Sequence, residues 1–387
     1  MNILFVFLIL FFGFLIPLGI KKKLSKTDIR MLNLLWLFQI CTGISYYFFT
    51  RNNGGDAWAY WQQAKQMIQP DFIYIFFNQK GTEATVALNY IPANLMGMGF
   101  LSNTLLYSLL GFIAFVFLYR ICIQAIPYNS KFYKFRLFPF LLFLPSLHFW
   151  SSGVGKDTIL FLCIAMVTYG LMNIAKRFPL VMLGLLLSYG VRPHITLILT
   201  ISFGFAYIIN SKISAIQRVV LFIILIAIAV VIIPSVLDFV KMDELSFEEL
   251  DKFSTNMALN LSYGRSFVDI SSYPYPLKVL TFLYRPFFFD INGIPAVVAS
   301  FENLLLLLLS IGVLRNRFVA TFRAAPFIIQ GFFIFFILGA FVFSMSMSNL
   351  GIILRQRNMF LPGLILFVLW SFSYKQELAL KKKNKTC

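Results

Sequence analysis

Long apolar runs recur along almost the whole chain and are separated by short polar segments. They lie at 2–20, 31–50, 101–119, 137–150, 158–175, 179–191, 194–210, 218–234, 297–314, 326–346 and 358–374. A helix needs about 20 apolar residues to cross a bilayer, whereas the strands of a membrane β-barrel alternate apolar and polar residues, which these runs do not. The pattern predicts an all-α polytopic integral membrane protein with about 11 transmembrane helices, in a range of about 9–12, several of them short or broken on the outer side.

Composition and charge set the class and the orientation that we expect. Hydrophobic residues make up 59% of the 387 residues and charged residues only 12%, against roughly 25% charged in a soluble domain. The net charge is +18, and 21 of the 33 Lys and Arg residues fall in segments that become cytoplasmic if the N-terminus lies outside. These segments are 21–30, 120–136, 176–178, 211–218, 315–325 and the tail from Lys375. Because cytoplasmic loops are enriched in Lys and Arg, we expect an external N-terminus, a cytoplasmic C-terminus and no nucleic-acid partner.

The predicted organisation is one polytopic membrane domain over residues 1–375, followed by a basic cytoplasmic tail at 376–387. Two outer loops are long, about 51–100 and 235–296. The first of them ends in a stretch, 84–99, that we interpret as a re-entrant or interfacial helix. Since the inner loops are short and basic, any chemistry is expected on the outer side.

The first candidate site follows the second apolar run, where the chain reads Arg-Asn-Asn-Gly-Gly-Asp-Ala-Trp-Ala-Tyr-Trp from residue 51. The two glycines permit a tight turn that directs Asp56 back toward the membrane surface. Trp58 and Tyr60 offer flat faces on which a sugar ring can stack, and a single carboxylate beside them suits a general base acting on a sugar hydroxyl. The alternative is a solvated loop bordered by an interfacial aromatic belt.

The second candidate site is a Gly-Lys-Asp turn that follows the short run 137–150. As a helix that run would extend about 21 Å, which is less than the roughly 30 Å of the hydrocarbon core. We therefore expect Lys156 and Asp157 at or below the outer surface, in a cavity lined by protein. They either bind a ligand there or neutralise one another.

The third candidate site lies where Pro193 separates two further short runs. Proline breaks a helix, and the break presents Arg192 and His194 at the depth of the outer leaflet, which is tolerated where the backbone lines a cavity. Arg suits bidentate phosphate binding, and His donates to a phosphate or transfers a proton. The alternative is a helical hairpin capped by an Arg that extends to the interface.

Further basic residues on the predicted outer side extend this pattern. They are Arg265, Arg285, Arg355 and Arg357, and Glu302 is an intramembrane carboxylate that can pair with one of them. Ionisable residues inside a membrane are functional candidates by default. Together these sites predict an outward-facing basic cavity for a ligand with a phosphate or pyrophosphate near the membrane, an apolar tail and a polar group outside.

The Gly-Gly-Asp-x-x-x-Tyr stretch at 54–60 and the arginines at outer helix ends resemble features of bacterial O-antigen and exopolysaccharide polymerases, including the EpsG-like members, and more broadly of GT-C glycosyltransferases. The resemblance implies that an outer-loop Asp is the base, here Asp56. It also implies that arginines bind the lipid pyrophosphate, here Arg192, Arg285 and Arg355. The implied location is the cytoplasmic membrane, with the active site on its extracytoplasmic side.

The expected function is transfer of sugar or oligosaccharide units from a polyprenyl-(pyro)phosphate-linked donor in surface polysaccharide assembly. Polymerase, single-sugar transferase and ligase share this chemistry. The rival class is a transporter or flippase for an anionic lipid-linked saccharide or another anionic solute, because broken helices with Arg and His in a cavity suit it too. The sequence has no metal-ligand pattern and does not require a cofactor. Binding of a divalent cation is the alternative that it leaves open. The expected partners are the polyprenyl-linked saccharide, the lipid bilayer and other polysaccharide-assembly proteins.

Overall fold

The computed structural model describes residues 2–20, 24–132, 135–210, 213–244, 246, 248–249, 252–253, 255–257, 266–270, 272–345 and 347–386. Helix accounts for 82% of the structure, with almost no strand. The prediction of an all-α polytopic membrane protein is confirmed at this level.

The described helices follow one another in this order: α1 (Asn2–Gly19), α2 (Lys26–Asn53), α3 (Asp56–Gln66), α4 (Gln69–Asn78), α5 (Thr82–Tyr90), α6 (Phe100–Ala125), α7 (Leu137–Phe140), α8 (Pro145–Trp150), α9 (Lys156–Leu171), α10 (Ile174–Val191), α11 (Pro193–Asn210), α12 (Ala215–Val240), α13 (Tyr275–Tyr284), α14 (Ile294–Arg315), α15 (Phe318–Ala324), α16 (Phe327–Ser344), α17 (Leu350–Arg357) and α18 (Leu361–Thr386). A π-helical turn (Ile91–Leu95) continues α5, and 3-10 turns lie at Leu141–Phe143 and Phe288–Asp290. Two short strands, Lys131–Phe132 and Phe135–Arg136, pair antiparallel with Lys131 opposite Arg136.

Within the described residues, eight helices are long and apolar enough to cross a membrane: α1, α2, α6, α10, α11, α12, α14 and α16. The bent pair of α17 and α18, with an angle of 60° between them, raises the number to nine if it forms one span. The number of candidate spans, eight or nine, thus reaches only the lower end of the predicted range of about 9–12.

Two predicted runs account for the difference in number. The run 158–175 becomes α9, which has 16 residues. The run 137–150 is divided into α7, a 3-10 turn and α8, because Pro139 and Pro145 interrupt it. The residue before each proline, Phe138 (φ −99°, ψ 133°) and Leu144 (φ −62°, ψ 122°), has left the helical region, as the steric demand of a following proline requires.

The chain separates into two compact units. The first comprises Met1–Arg120 and Leu142–Thr196. Here the outer loop predicted at 51–100 folds into helices, with α5 packed against α3, α4 and α10, and α9 packed along α10. Gly54 and Gly55, with φ of 71° and 124°, let the chain turn between α2 and α3, a conformation that favours glycine.

The second unit comprises Ile121–Leu141 and Leu197–Cys387. In it α16 packs along α18, and the short helix α13 contacts α14, α16 and α17. Stacked aromatic rings fill the space between α16 and α18, where the ring centres of Phe333 and Phe367 are 4.0 Å apart. Such pairs add to the burial of apolar area and hold the helices that surround the arginines of this unit.

Candidate functional site

The Gly-Lys-Asp turn at the start of α9 contacts three other parts of the first unit. Arg192 Nη1 lies 3.6 Å from Asp157 Oδ1. Lys156 Nζ donates to Thr82 Oγ1 at 2.8 Å and lies 5.8 Å from the centre of the Tyr60 ring. The structure therefore brings the second and third predicted sites together and adds the helix that begins at Asp56.

The Asp157–Arg192 pair is buried, with exposed side-chain fractions of 8% and 10%. Asp157 lies in the first turn of α9, where the helix dipole favours a negative charge. Arg192 is the residue between α10 and α11, and its backbone N–H donates to Ser188 O at 2.7 Å. Because Pro193 begins α11, the predicted helix break between α10 and α11 is present. The break places Arg192 beside the carboxylate of Asp157.

A buried irregular segment carries the turn to this position. Residues 151–155 are all buried and lie outside regular helix, so their carbonyl groups need side-chain donors. Gln39 Nε2 donates to Ser151 O at 3.1 Å, and Ser108 Oγ donates to Ser152 O at 3.0 Å. His148 Nδ1 lies 2.5 Å from Gln39 Oε1. Polar residues inside α2 and α6 thus fix the course of this segment.

The N-terminus of α5 is a part of the site that the sequence interpretation missed. The backbone N–H of Gly81 donates to Gly190 O at 2.9 Å, which joins the start of α5 to the end of α10. Lys80 Nζ lies 4.8 Å from the centre of the Tyr189 ring. Gly81 has φ 71°, a conformation that favours glycine. The Lys-Gly-Thr sequence at 80–82 was therefore the available sign that a helix begins here. It lies just ahead of the predicted stretch 84–99.

We use the name basic site for the residues gathered here: Lys80, Thr82, Lys156, Asp157, Arg192 and His194. His194, in the first turn of α11, is close enough to Arg192 and Lys156 for their charges to act on its ring. Three of the six side chains are cations and one is a carboxylate. The site therefore carries an excess of positive charge.

Asp56 is the exposed first residue of α3. Tyr60 follows one helical turn later on the same face and is only 5% exposed, so it supports the Lys156 turn rather than presenting an open ring face. Trp58 is half-buried, and its ring packs 5.1 Å from that of Trp61 and 4.9 Å from that of Phe100, measured between ring centres. The first predicted site is thus an exposed carboxylate above packed aromatic rings.

In the second unit, Arg285 is engaged by a carboxylate of its own chain. Its Nε donates to Asp290 Oδ2 at 2.9 Å, and its Nη2 donates to the other oxygen at 2.5 Å. Asp290 Oδ2 also accepts the backbone N–H of Phe287 at 2.8 Å. These hydrogen bonds to Asp290 raise the pKa of Arg285 above its ordinary value. Asp290 thus forms with Arg285 the bidentate contact that was predicted for a phosphate.

Arg357 is likewise bound inside the second unit. Its side chain is among the most buried of the structure, with 2% exposure for the residue. Nη1 donates to Leu283 O at 2.5 Å, near the end of α13, and Nη2 donates to Asn303 Oδ1 at 2.6 Å. The charge of the buried Glu302 acts on the same guanidinium. Arg355, on the same helix, is half-buried, and Arg265 lies outside the described residues.

Over the described part of the chain, no group of three or more His, Cys, Asp or Glu side chains is arranged to hold a metal ion. No family model, curated protein or solved structure matches the chain.

Proposed function

We propose that this protein is a membrane glycosyltransferase of the polymerase type. It transfers sugar or oligosaccharide units from a polyprenyl-(pyro)phosphate-linked donor on the extracytoplasmic face of the cytoplasmic membrane. The observation that carries the proposal is the convergence, in one unit, of the exposed Asp56 helix with the basic site. In this proposal the N-terminus and the basic site lie outside and the C-terminus inside, as the distribution of Lys and Arg residues predicts.

The basic site suits a phosphate group. Lys80, Lys156 and Arg192 supply three positive charges against the one carboxylate of Asp157, and the first N–H groups of α5 add a partial positive charge. Anions bind readily where helix N-termini and cationic side chains meet. In this proposal Arg285 and Arg357 do not bind the lipid-linked sugar, because Asp290 and backbone carbonyl groups already accept hydrogen bonds from their guanidinium groups.

The reaction is a nucleophilic substitution at the anomeric carbon of the donor. An acceptor hydroxyl oxygen forms the new bond to that carbon, while the bond from the carbon to the phosphate oxygen breaks. Asp56 accepts the proton of the hydroxyl, and the electron pair of the broken bond stays on the departing phosphate. Lys156 and Arg192 stabilise this charge, and His194 donates to the same group. Asp56 is one turn, about 6 Å along the helix axis, from the ring that contacts Lys156.

The test is to analyse lipid-linked saccharides in cells that carry Asp56→Asn. We expect loss of polymer and accumulation of lipid-linked repeat units at an unchanged level of the protein. Asp71→Asn is the matched control, because Asp71 is an exposed carboxylate in the first turn of α4 in the same unit, and it should leave the polymer unchanged. Normal polymer length in the Asp56 variant would overturn the proposal. Accumulation restricted to the cytoplasmic leaflet would favour a flippase.

A further inference from the structure

The second unit contains a cavity of about 460 Å³ between α13, α14, α15, α16 and α18. This volume falls in the range of about 300–1,000 Å³ that is usual for small-molecule sites. Only two of its lining side chains, Tyr284 and Ser310, carry a polar atom. The cavity is therefore built to hold an apolar chain rather than a sugar.

The cavity is open along the surface of two span-length helices. Leu314 on α14 is 66% exposed and Ile337 on α16 is 39% exposed, although both line the cavity. In a membrane such surfaces contact lipid tails. An occupant can thus enter from the hydrocarbon region.

Three arginines are the direct chain neighbours of lining residues of the cavity. Arg315 directly follows the lining residue Leu314, Arg317 directly precedes Phe318, and Arg323 directly follows Phe322. All three arginines are exposed. Within the described residues, their side chains form no hydrogen bond or ion pair with the protein.

Helix α15, which Arg317 directly precedes and which carries Arg323, is held in place. Trp370 Nε1 on α18 donates to Thr321 O of α15 at 3.0 Å, and Thr321 is 1% exposed. Asn210 Nδ2 donates to Ala325 O, just after α15, at 2.9 Å. Arg317 and Arg323 therefore lie at the start and near the end of a fixed helix that lines the cavity, and Arg315 is the last residue of α14.

We propose that this cavity binds one acyl chain of an anionic phospholipid, with the lipid phosphate held by Arg315, Arg317 and Arg323. An apolar cavity whose lining residues are flanked in the chain by three exposed arginines matches a molecule with an apolar tail and an anionic head. The arginines lie in the 315–325 segment, which the charge distribution assigns to the cytoplasmic side. A membrane phospholipid is available on that side, so this proposal does not depend on the sugar donor. The lipid site is thus separate from the basic site in role.

The first experiment measures binding of dioleoyl phosphatidylglycerol and dioleoyl phosphatidylcholine to the full chain in detergent by native mass spectrometry. The wild-type protein should prefer phosphatidylglycerol by at least about tenfold, since arginines near a headgroup attract a lipid with a net negative charge. The variant with Arg315→Gln, Arg317→Gln and Arg323→Gln should lose this preference. A matched variant with Lys131→Gln, Arg136→Gln and Arg218→Gln removes three exposed charges of the same unit away from the cavity and should keep it.

The second experiment tests the cavity itself. Ile337→Trp fills it and should weaken phosphatidylglycerol binding several-fold, whereas Val342→Trp is on the same helix, is 51% exposed and does not line the cavity. Equal loss in the two triple variants would show general attraction of anionic lipid and overturn the proposal. No effect of Ile337→Trp, in protein whose melting temperature matches that of Val342→Trp, would overturn it as well. So would displacement of the phospholipid by an equimolar amount of polyprenyl phosphate.

Discussion

The carboxylate of Asp157 and the guanidinium of Arg192 face one another at 3.6 Å, with neither side chain more than 10% exposed. The pair joins the first turn of α9 to the junction of α10 and α11. It therefore links the Gly-Lys-Asp turn, which follows the buried segment 151–155, to the helix break before Pro193. Two motifs that are separate in the chain become one arrangement through this contact.

Removing one member of this pair should destabilise the protein strongly. Asp157→Asn or Arg192→Gln leaves the other charge buried without its counter-ion, which costs about 3–5 kcal/mol. The double variant should lose less than the sum of the two single variants, because no lone charge remains. Thermal unfolding in detergent measures all three. Lys252→Gln is the control, because Lys252 and Glu248 form an exposed pair and the melting temperature should not change. Additive single losses would show that the pair is not coupled.

Gly111 is expected to tolerate no side chain. A Cβ atom at this position would overlap the backbone oxygen of Ser151 and approach Gln39 Nε2 to 2.7 Å. Since a backbone atom cannot move aside cheaply, Gly111→Ala should destabilise the protein by about 1–3 kcal/mol. Gly190→Ala is the matched control, because nothing lies within 4 Å of its added methyl group and alanine favours a helix. The melting temperatures of the two variants should differ in opposite directions from that of the wild type.

The class of fold and the location of most spans could be predicted from the sequence, because each apolar run long enough to cross a membrane became a helix. The burial of Asp157 agrees with the expectation of surroundings lined by protein, whereas the depth of Lys156 and Asp157 in a membrane stays a prediction. The residues Lys80 and Thr82 were not, because their place in the basic site depends on a backbone hydrogen bond from Gly81 to α10. The Lys-Gly-Thr sequence indicates the start of a helix, but it does not indicate which distant segment that helix contacts.

The roles of individual arginines were equally hidden. Arg357 follows the pattern of a phosphate-binding residue at a helix end, yet its guanidinium binds carbonyl groups near the end of α13. Whether an Arg side chain faces a ligand or the protein depends on the packing of distant helices. The short helix α13, whose carbonyls it caps, lies in a segment that was predicted only as an outer loop.

Arg357 should therefore behave as a structural residue. Arg357→Ala leaves Leu283 O and Asn303 Oδ1 buried without this donor, at a cost of about 1–3 kcal/mol for each unsatisfied group. Arg357→Lys should rescue little, because an ammonium group does not reproduce the planar fork of guanidinium. Arg355→Ala, at the half-buried position on the same helix, should be milder. The measurement is the yield of folded protein and its melting temperature, and equal losses at both positions would contradict this assignment.

The hydrogen bond between Gln39 and His148 should hold the loop that carries the basic site. Gln39→Leu removes the donor to Ser151 O as well as the partner of His148, so the loop loses two contacts at once. His148→Phe removes the second of these contacts together with that between Nε2 and Leu142 O. It leaves the donor to Ser151 O in place and preserves a ring that can stack on Phe115, whose centre lies 4.0 Å away. We expect Gln39→Leu to be the more destabilising change, and the two losses to be coupled by about 0.5–3 kcal/mol in a double-mutant cycle.

A second cycle gives this prediction its control. Thr168→Val removes a buried hydroxyl that donates to Ile164 O within α9 and that shares no partner with His148. Its effect should add to that of His148→Phe. If Gln39 positions the basic site, Gln39→Leu should reduce the proposed sugar transfer more than Thr168→Val does at equal amounts of folded protein, because Gln39 supports the segment that precedes Lys156. If both cycles are additive, or if the two variants lose transfer equally, Gln39 and His148 contribute general stability and do not position the basic site.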